Sequence, residues 1–173
     1  MTKLHKIKAF VLKRTILLGK DSMVTLFAKD QGKTTVLVKG VRKFTSKRAA
    51  HLQTGNLIQA QIHETNGITY LQSSELISGF MSLRTSAYID HLYLLLATVD
   101  GLIPEGQSEN QVFILMKQFF AGLGNGREPQ TVLRRTLQHI LEILGYVDRQ
   151  YSLSELMTII EENMGKRLPK SML

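Results

Sequence analysis

The stretch LIQAQIHETNGITYLQSSELI, residues 57–77, decides how the first half of the chain folds. Ile58, Ala60 and Ile62 alternate with Gln59, Gln61 and His63, the period of a half-buried strand over Leu57 to Glu64. Asn66-Gly67 is a two-residue turn, because both residues accept positive φ. Ile68 to Ile77 then reads as the returning strand. Working outward, Lys6 to Arg14 alternates around Ile7, Ala9, Val11 and Lys13, with Phe10 and Leu12 on the other face. On this count Lys6, Lys8 and Arg14 share one face. Met23 to Lys29 is a second strand, Lys29-Asp30-Gln31-Gly32 a turn, and Lys33 to Val41 a third strand. Five short antiparallel strands in the first 80 residues suggest a small barrel or sandwich.

The period changes to 3.6 in the second half. Ile89, Leu92, Tyr93, Leu96 and Val99 form one helical stripe, and Val112, Leu115, Met116, Phe119, Phe120 and Leu123 another. Gly122, Gly124 and Gly126 are expected to break that helix, and Pro129 to open the next. Leu133, Leu137, Ile140, Leu141 and Leu144 make the third stripe, stopped by Gly145. Ser152 and Glu155 form a capping box ahead of Leu153, Leu156, Met157, Ile160 and Met164, and Gly165 ends the helix. The expectation is an α+β chain: a β domain over 1–80 and an all-α domain of four helices over 81–173, with the boundary near Phe80 to Thr85.

Charge follows the same division. The whole chain carries a net +8, but residues 1–48 hold 13 Lys and Arg against 2 Asp, a net of +11. Residues 81–173 come to −1. So concentrated a surplus points to a polyanion-binding half joined to a nearly neutral one. With no Cys, a disulfide framework, a thiol nucleophile and a cysteine zinc site are excluded. The longest nearly apolar run, Leu92 to Val99, falls short of the roughly 20 residues a membrane span needs. Lys3, Lys6 and Lys8 precede only Ala9 to Leu12 before Lys13 and Arg14, so no signal-peptide core is read there and a cytoplasmic location is expected.

The strongest chemical signal is Lys39-Gly40-Val41-Arg42-Lys43-Phe44-Thr45-Ser46-Lys47-Arg48, with 5 cations in 10 residues. Lys39, Arg42, Lys43, Lys47 and Arg48 suit a phosphate backbone. Thr45 and Ser46 add neutral donors, and Gly40 permits close approach. Phe44 is read either as a stacking platform for an unpaired base or as a core anchor for its loop. Lys8, Lys13 and Arg14 either extend this basic surface or solvate an edge strand. Gly32-Lys33-Thr34 resembles the end of a P-loop, but Phe27 stands where the motif needs glycine, and the context is strand–turn–strand. His63-Glu64 and Asp90-His91 lack metal-ligand spacing, and adjacent strand residues face opposite ways. No catalytic residue, metal or cofactor is assigned. Arg134 and Arg135 project away from their leucine stripe and are candidates for receiving an acidic partner, or simply solvate the helix.

The order of these features resembles the bacterial recombination mediator family RecO over nearly the whole chain. Ile7 to Arg14 is similar to that family's first strand, and Met23 to Phe27 followed by Gly32-Lys33 to its second strand and turn. Val38 to Lys43, then Ser46-Lys47 and His51-Leu52-Gln53, carry the most specific likeness. Leu71 to Leu76, Leu144-Gly145-Tyr146 and Gly165 to Ser171 complete it. The resemblance implies an N-terminal five-stranded OB-fold barrel and a C-terminal helical domain. It implies binding of single- and double-stranded DNA, annealing, and loading of a recombinase on protein-coated strands. The implied partners are a RecR-like protein and the acidic C-terminal tail of the single-stranded-DNA-binding protein, with no membrane and no small-molecule substrate. Many members carry a four-cysteine zinc module after the Leu-Gly-Tyr segment; here only Val147 to Tyr151 precede the capping box, so the module is read as deleted. The alternative reading is an OB-like protein-interaction adaptor or an RNA-binding module.

Overall fold

A computed structural model describes residues 4–41, 48–80 and 86–168. Its first half holds β1 (Leu4–Ile16), β2 (Ser22–Ala28), β3 (Gly32–Val38), a one-turn helix α1 (Arg48–His51), β4 (Leu57–Thr65) and β5 (Ile68–Ser78). The strands close into a barrel in the order β1-β2-β3-β5-β4, with β1 returning to β4. All pairs are antiparallel except β3 with β5, which meet in parallel at Leu37 and Tyr70. This is the OB-fold barrel. Closure depends on β1, whose residues Leu4 to Phe10 pair with β4 while Ala9 to Ile16 pair with β2. A bulge between Val11 and Lys13 bends the strand at that exchange.

The barrel interior is the set of inward positions that period-2 alternation selects: Ile7, Ala9 and Val11 of β1, Val24, Leu26 and Ala28 of β2, Val36 and Val38 of β3, and Ile58, Ala60 and Ile62 of β4. Leu52, just beyond α1, is fully buried in the same cluster. The basic decapeptide runs into one helical turn, α1, at Arg48. Asn56 holds that turn by donating from Nδ2 to the carbonyls of Ala50 and His51, each at 3.1 Å. The third strand also stops at Val38, earlier than its apolar run suggests.

One edge of the barrel has a closure that no local pattern announces. Because β3 meets β5 at the pair Leu37 and Tyr70, beyond Thr35, the start of β3 can be joined by another segment on that side. The segment Ile103–Ser108 packs with the barrel residues and joins it there. Gly106 N–H donates to Lys33 O at 2.7 Å, and Lys33 N–H to Gln107 O at 3.3 Å. The Glu105 carboxylate accepts from Thr35 N–H at 2.6 Å and from the Thr35 hydroxyl at 3.3 Å. An exposed edge of unpaired amides is thereby capped.

The other packed unit comprises residues 80–102 and 109–173. It contains α2 (Ser86–Leu102), α3 (Asn110–Gly124), α4 (Pro129–Ile143) and α5 (Leu153–Met164). The four leucine-rich stripes are its buried faces, with Leu92, Leu96, Val99, Phe119, Phe120, Leu137, Ile140 and Ile160 all at most 1% exposed. Gly122 does not break α3, contrary to expectation. It lies inside the helix, where an added Cβ would come within 3.3 Å of Val132, so it permits close approach of α4. The Ser152–Glu155 capping box forms as read. Glu128 caps α4 by accepting from the backbone N–H groups of Gln130 and Thr131; a hydrogen bond from the Thr131 side chain, followed by these two backbone bonds, holds its carboxyl below the usual range.

The connection from α4 to α5 is short and tied down by one buried side chain. Gln138, 1% exposed, donates from Nε2 to Arg149 O at 2.7 Å and to Glu142 Oε1 at 2.8 Å, and accepts from Tyr151 N–H at 3.0 Å. The five residues Val147 to Tyr151 therefore form a tight link, with no insertion between them.

Candidate nucleic-acid interface

The hairpin of β4 and β5 organises one outer face of the barrel. Asn66 and Gly67 take φ of 52° and 74°, as the two-residue turn requires. Positions equidistant from the turn then face one another, and His63 pairs with Tyr70. Their rings stack at 5.5 Å between centroids with a 19° interplanar angle. Continuing across the sheet, His63 pairs with Leu4, Gln61 with Lys6 and Gln59 with Lys8. This face therefore carries Tyr70, His63, Lys6 and Lys8 together.

Lys39 joins that face from the end of β3. Its ammonium nitrogen lies 4.9 Å from the centroid of the Tyr70 ring. The backbone around it is held at two points: Gly40 N–H donates to Asp21 Oδ1 at 2.8 Å, and Arg48 Nη2 donates to Lys39 O at 2.9 Å. Gly40 has φ of 64°, which suits glycine alone without strain. Lys39 and Arg48, the two ends of the basic decapeptide, are thus in direct contact. Arg42, Lys43, Phe44 and Lys47 lie outside the described residues. Beside Lys39 a hollow of about 320 Å³ is lined by Leu37, Lys39, His63, Thr65, Tyr70 and Leu71.

The bulge in β1 overturns the expected placement of Arg14. Ahead of it, Lys6 and Lys8 face outward; beyond it the parity reverses. Lys13 pairs with Thr25 and is exposed on the outside, whereas Arg14 pairs with the core residue Val24 and points to the barrel end. There its Nε donates to the buried Ser22 hydroxyl at 3.4 Å. The cations sharing an outward side are therefore Lys6, Lys8 and Lys13, and Arg14 serves the end of the barrel.

Sequence reasoning missed Tyr70 altogether and weighed His63 only as a metal or acid–base residue. Symmetry about Asn66-Gly67 was the signal that pairs them. Gly32, by contrast, is a packing position: an added Cβ would sit 2.1 Å from Gln107 O. Among the described residues no group of three or more His, Cys, Asp or Glu could hold a metal ion, and no helix is long and apolar enough to cross a membrane.

On the helical unit, Arg134 and Arg135 part company. Arg134 donates to Tyr151 O at 3.3 Å and secures the α4–α5 link. Arg135 lines a hollow of about 450 Å³ between α3 and α4, with Arg127 and His139 above Leu115, Phe119 and Val132. An adjoining hollow of about 290 Å³ shares Leu115, Gln118 and His139 and adds Ile114 and Ile143.

Residues 1–80 match the family model described as "Recombination protein O N terminal". A "DNA repair protein RecO" from Syntrophobacter fumaroxidans is 25% identical over 128 residues, covering 73% of this chain and 51% of the relative. Those of Symbiobacterium thermophilum and Dehalococcoides mccartyi are 25% and 26% identical, covering 83% and 84% of this chain and 57% and 59% of the relatives. The chain thus spans between about half and three-fifths of the length of these relatives. With an OB-fold barrel over the matched residues and relatives that reach well into the helices, the first half of the chain is similar to the N-terminal part of RecO, and the similarity to these relatives continues beyond it.

Proposed function

We propose that this chain is a DNA repair and recombination mediator whose barrel binds single- and double-stranded DNA without sequence preference. It anneals complementary strands and helps load a recombinase on protein-coated single strands, together with a RecR-like protein. The observation that supports this most is the contact of Lys39 with Arg48 beside the Tyr70 ring, which brings these two cations to the face that also carries Lys6 and Lys8. Phosphates would be neutralised by Lys39, Arg42, Lys43, Lys47 and Arg48, with Lys8 and Lys13 at the periphery. Lysine and arginine release condensed counterions when they replace them, so the mechanism is electrostatic and needs no covalent step. The test is fluorescence anisotropy of labelled single strands over a salt series. About 3–6 phosphate contacts at ~0.7 each give an expected log–log slope between about −2 and −4. Affinity that ignores salt would refute the reading. Capping of the β3 edge by Ile103–Ser108 weighs against the adaptor alternative, since a partner strand cannot add there.

A second surface supports the tail-peptide partner. The α3–α4 hollow combines apolar lining from Leu115, Phe119 and Val132 with Arg127, Arg135 and His139 against one carboxylate, Glu128, which suits an acidic peptide ending in an apolar side chain. Arg135→Glu is expected to weaken binding of such a peptide at least about 10-fold, by loss of a charge-assisted bond and added repulsion. Arg134→Ala should leave it unchanged, because Arg134 is engaged with Tyr151 O. Titration calorimetry with the two variants checks this, and equal effects would place the peptide elsewhere.

A further inference from the structure

We infer that Tyr70, with His63 beside it and Lys39 above it, is a seat for one unpaired nucleobase of a bound single strand, the base stacking on the tyrosine ring while Lys39 takes the adjoining phosphate. The inference rests on the DNA-binding reading and adds a specific subsite to it. Three observations carry it. The Tyr70 ring stands on the outer face of a strand, partly buried, and its partner ring His63 stacks on it at 5.5 Å, so the platform's orientation is set before any ligand arrives. The group over the ring is the end of an exposed lysine, 4.9 Å from the centroid. Next to it lies a hollow of about 320 Å³ bounded by Leu37, Thr65 and Leu71 as well as these three residues.

These features act together. An exposed ammonium above a ring is weakly held, because water competes for it. A strand arriving with both a phosphate and a base exchanges that contact for two better ones: the ammonium moves to the phosphate, and the vacated ring face receives the base. The backbone of Lys39 need not move, since Arg48 and Asp21 hold it on both sides. His63 Nδ1 is buried and has no hydrogen-bond partner among the described residues, which leaves one polar atom of the platform unsatisfied. The seat takes any base, because every base has a π-face, but not a base paired within a duplex, whose faces are already stacked.

The experiment uses the full chain and three probes of equal length: oligothymidylate, an abasic strand with the same phosphates, and a closed hairpin duplex. Tyr70→Leu is expected to weaken oligothymidylate binding between about 5-fold and about 150-fold. Its affinity for the abasic strand and the duplex should stay at the wild-type value, and the salt slope should be unchanged. Tyr70→Phe, which keeps the ring, should bind all three probes like wild type. Lys39→Met should instead reduce the salt slope on single strands by about 0.7, whether or not bases are present. Equal losses on oligothymidylate and abasic strands in Tyr70→Leu, or no loss on either, would overturn the seat while leaving the electrostatic reading intact. A wild-type chain that binds none of the probes would overturn the electrostatic reading and the seat with it.

Discussion

Replacing Lys39, Arg42 and Lys43 together with glutamate is expected to abolish single-strand binding while leaving the fold in place. The net charge of residues 1–48 is +11, and these three residues stand in its densest run. Removing three phosphate contacts should lower the salt slope by about 2, and the new carboxylates add repulsion in place of attraction. On a predicted slope of about −2 to −4, little attraction remains. The fold should tolerate the change. Lys39 is exposed, and what holds its neighbourhood is backbone: Gly40 N–H on Asp21 and Lys39 O on Arg48. Anisotropy at low salt measures the binding, and an unchanged melting temperature shows that the barrel persists. Affinity that survives in a folded triple variant would place the DNA site elsewhere.

Gly32→Ala is expected to cost about 3–5 kcal/mol of stability, much more than a turn glycine normally would. Two effects combine. Gly32 has φ of +74°, where a Cβ alone costs about 1–2 kcal/mol. That Cβ would also lie 2.1 Å from Gln107 O and 2.6 Å from Ser108 N. Both are backbone atoms and cannot swing aside as a side-chain tip would. The segment Ile103–Ser108 would have to leave β3, giving up the Gly106–Lys33 and Lys33–Gln107 bonds and the Glu105 contacts to Thr35. Gly67→Ala is the internal control, since Gly67 has the same φ of +74° and nothing within 4 Å of an added Cβ. Chemical denaturation of the two variants separates the clash from the backbone cost. Equal losses would mean that the segment does not press on Gly32.

How far the sequence could be read shows at individual residues. Alternation through Ile58, Ala60 and Ile62 placed β4 and its inward face, and Asn66-Gly67 placed the hairpin, because both signals are local. The same rule failed at Arg14. Ala9 to Leu12 is a continuous apolar run, so alternation is silent over the very residues where the bulge reverses the face. In α4 the heptad-like stripe correctly kept Arg134 and Arg135 off the core, yet neighbouring residues turn about 100° on a helix. One therefore meets the α4–α5 link and the other a groove.

By itself the sequence determined the two kinds of structure, the stripes that become buried faces, the capping box and the concentration of charge in the first 48 residues. Each of these follows from periodicity, side-chain chemistry or composition within a short window. The tertiary structure alone decided the order in which strands close, the placement of Lys39 over the Tyr70 ring, the contact of Lys39 with Arg48, and the capping of β3 by residues some 70 positions along the chain. Apart from the strand order, these are ring contacts and side-chain to backbone hydrogen bonds between groups that only the closed barrel brings together. No local pattern of residue types marks such pairs, and the candidate site is assembled from them.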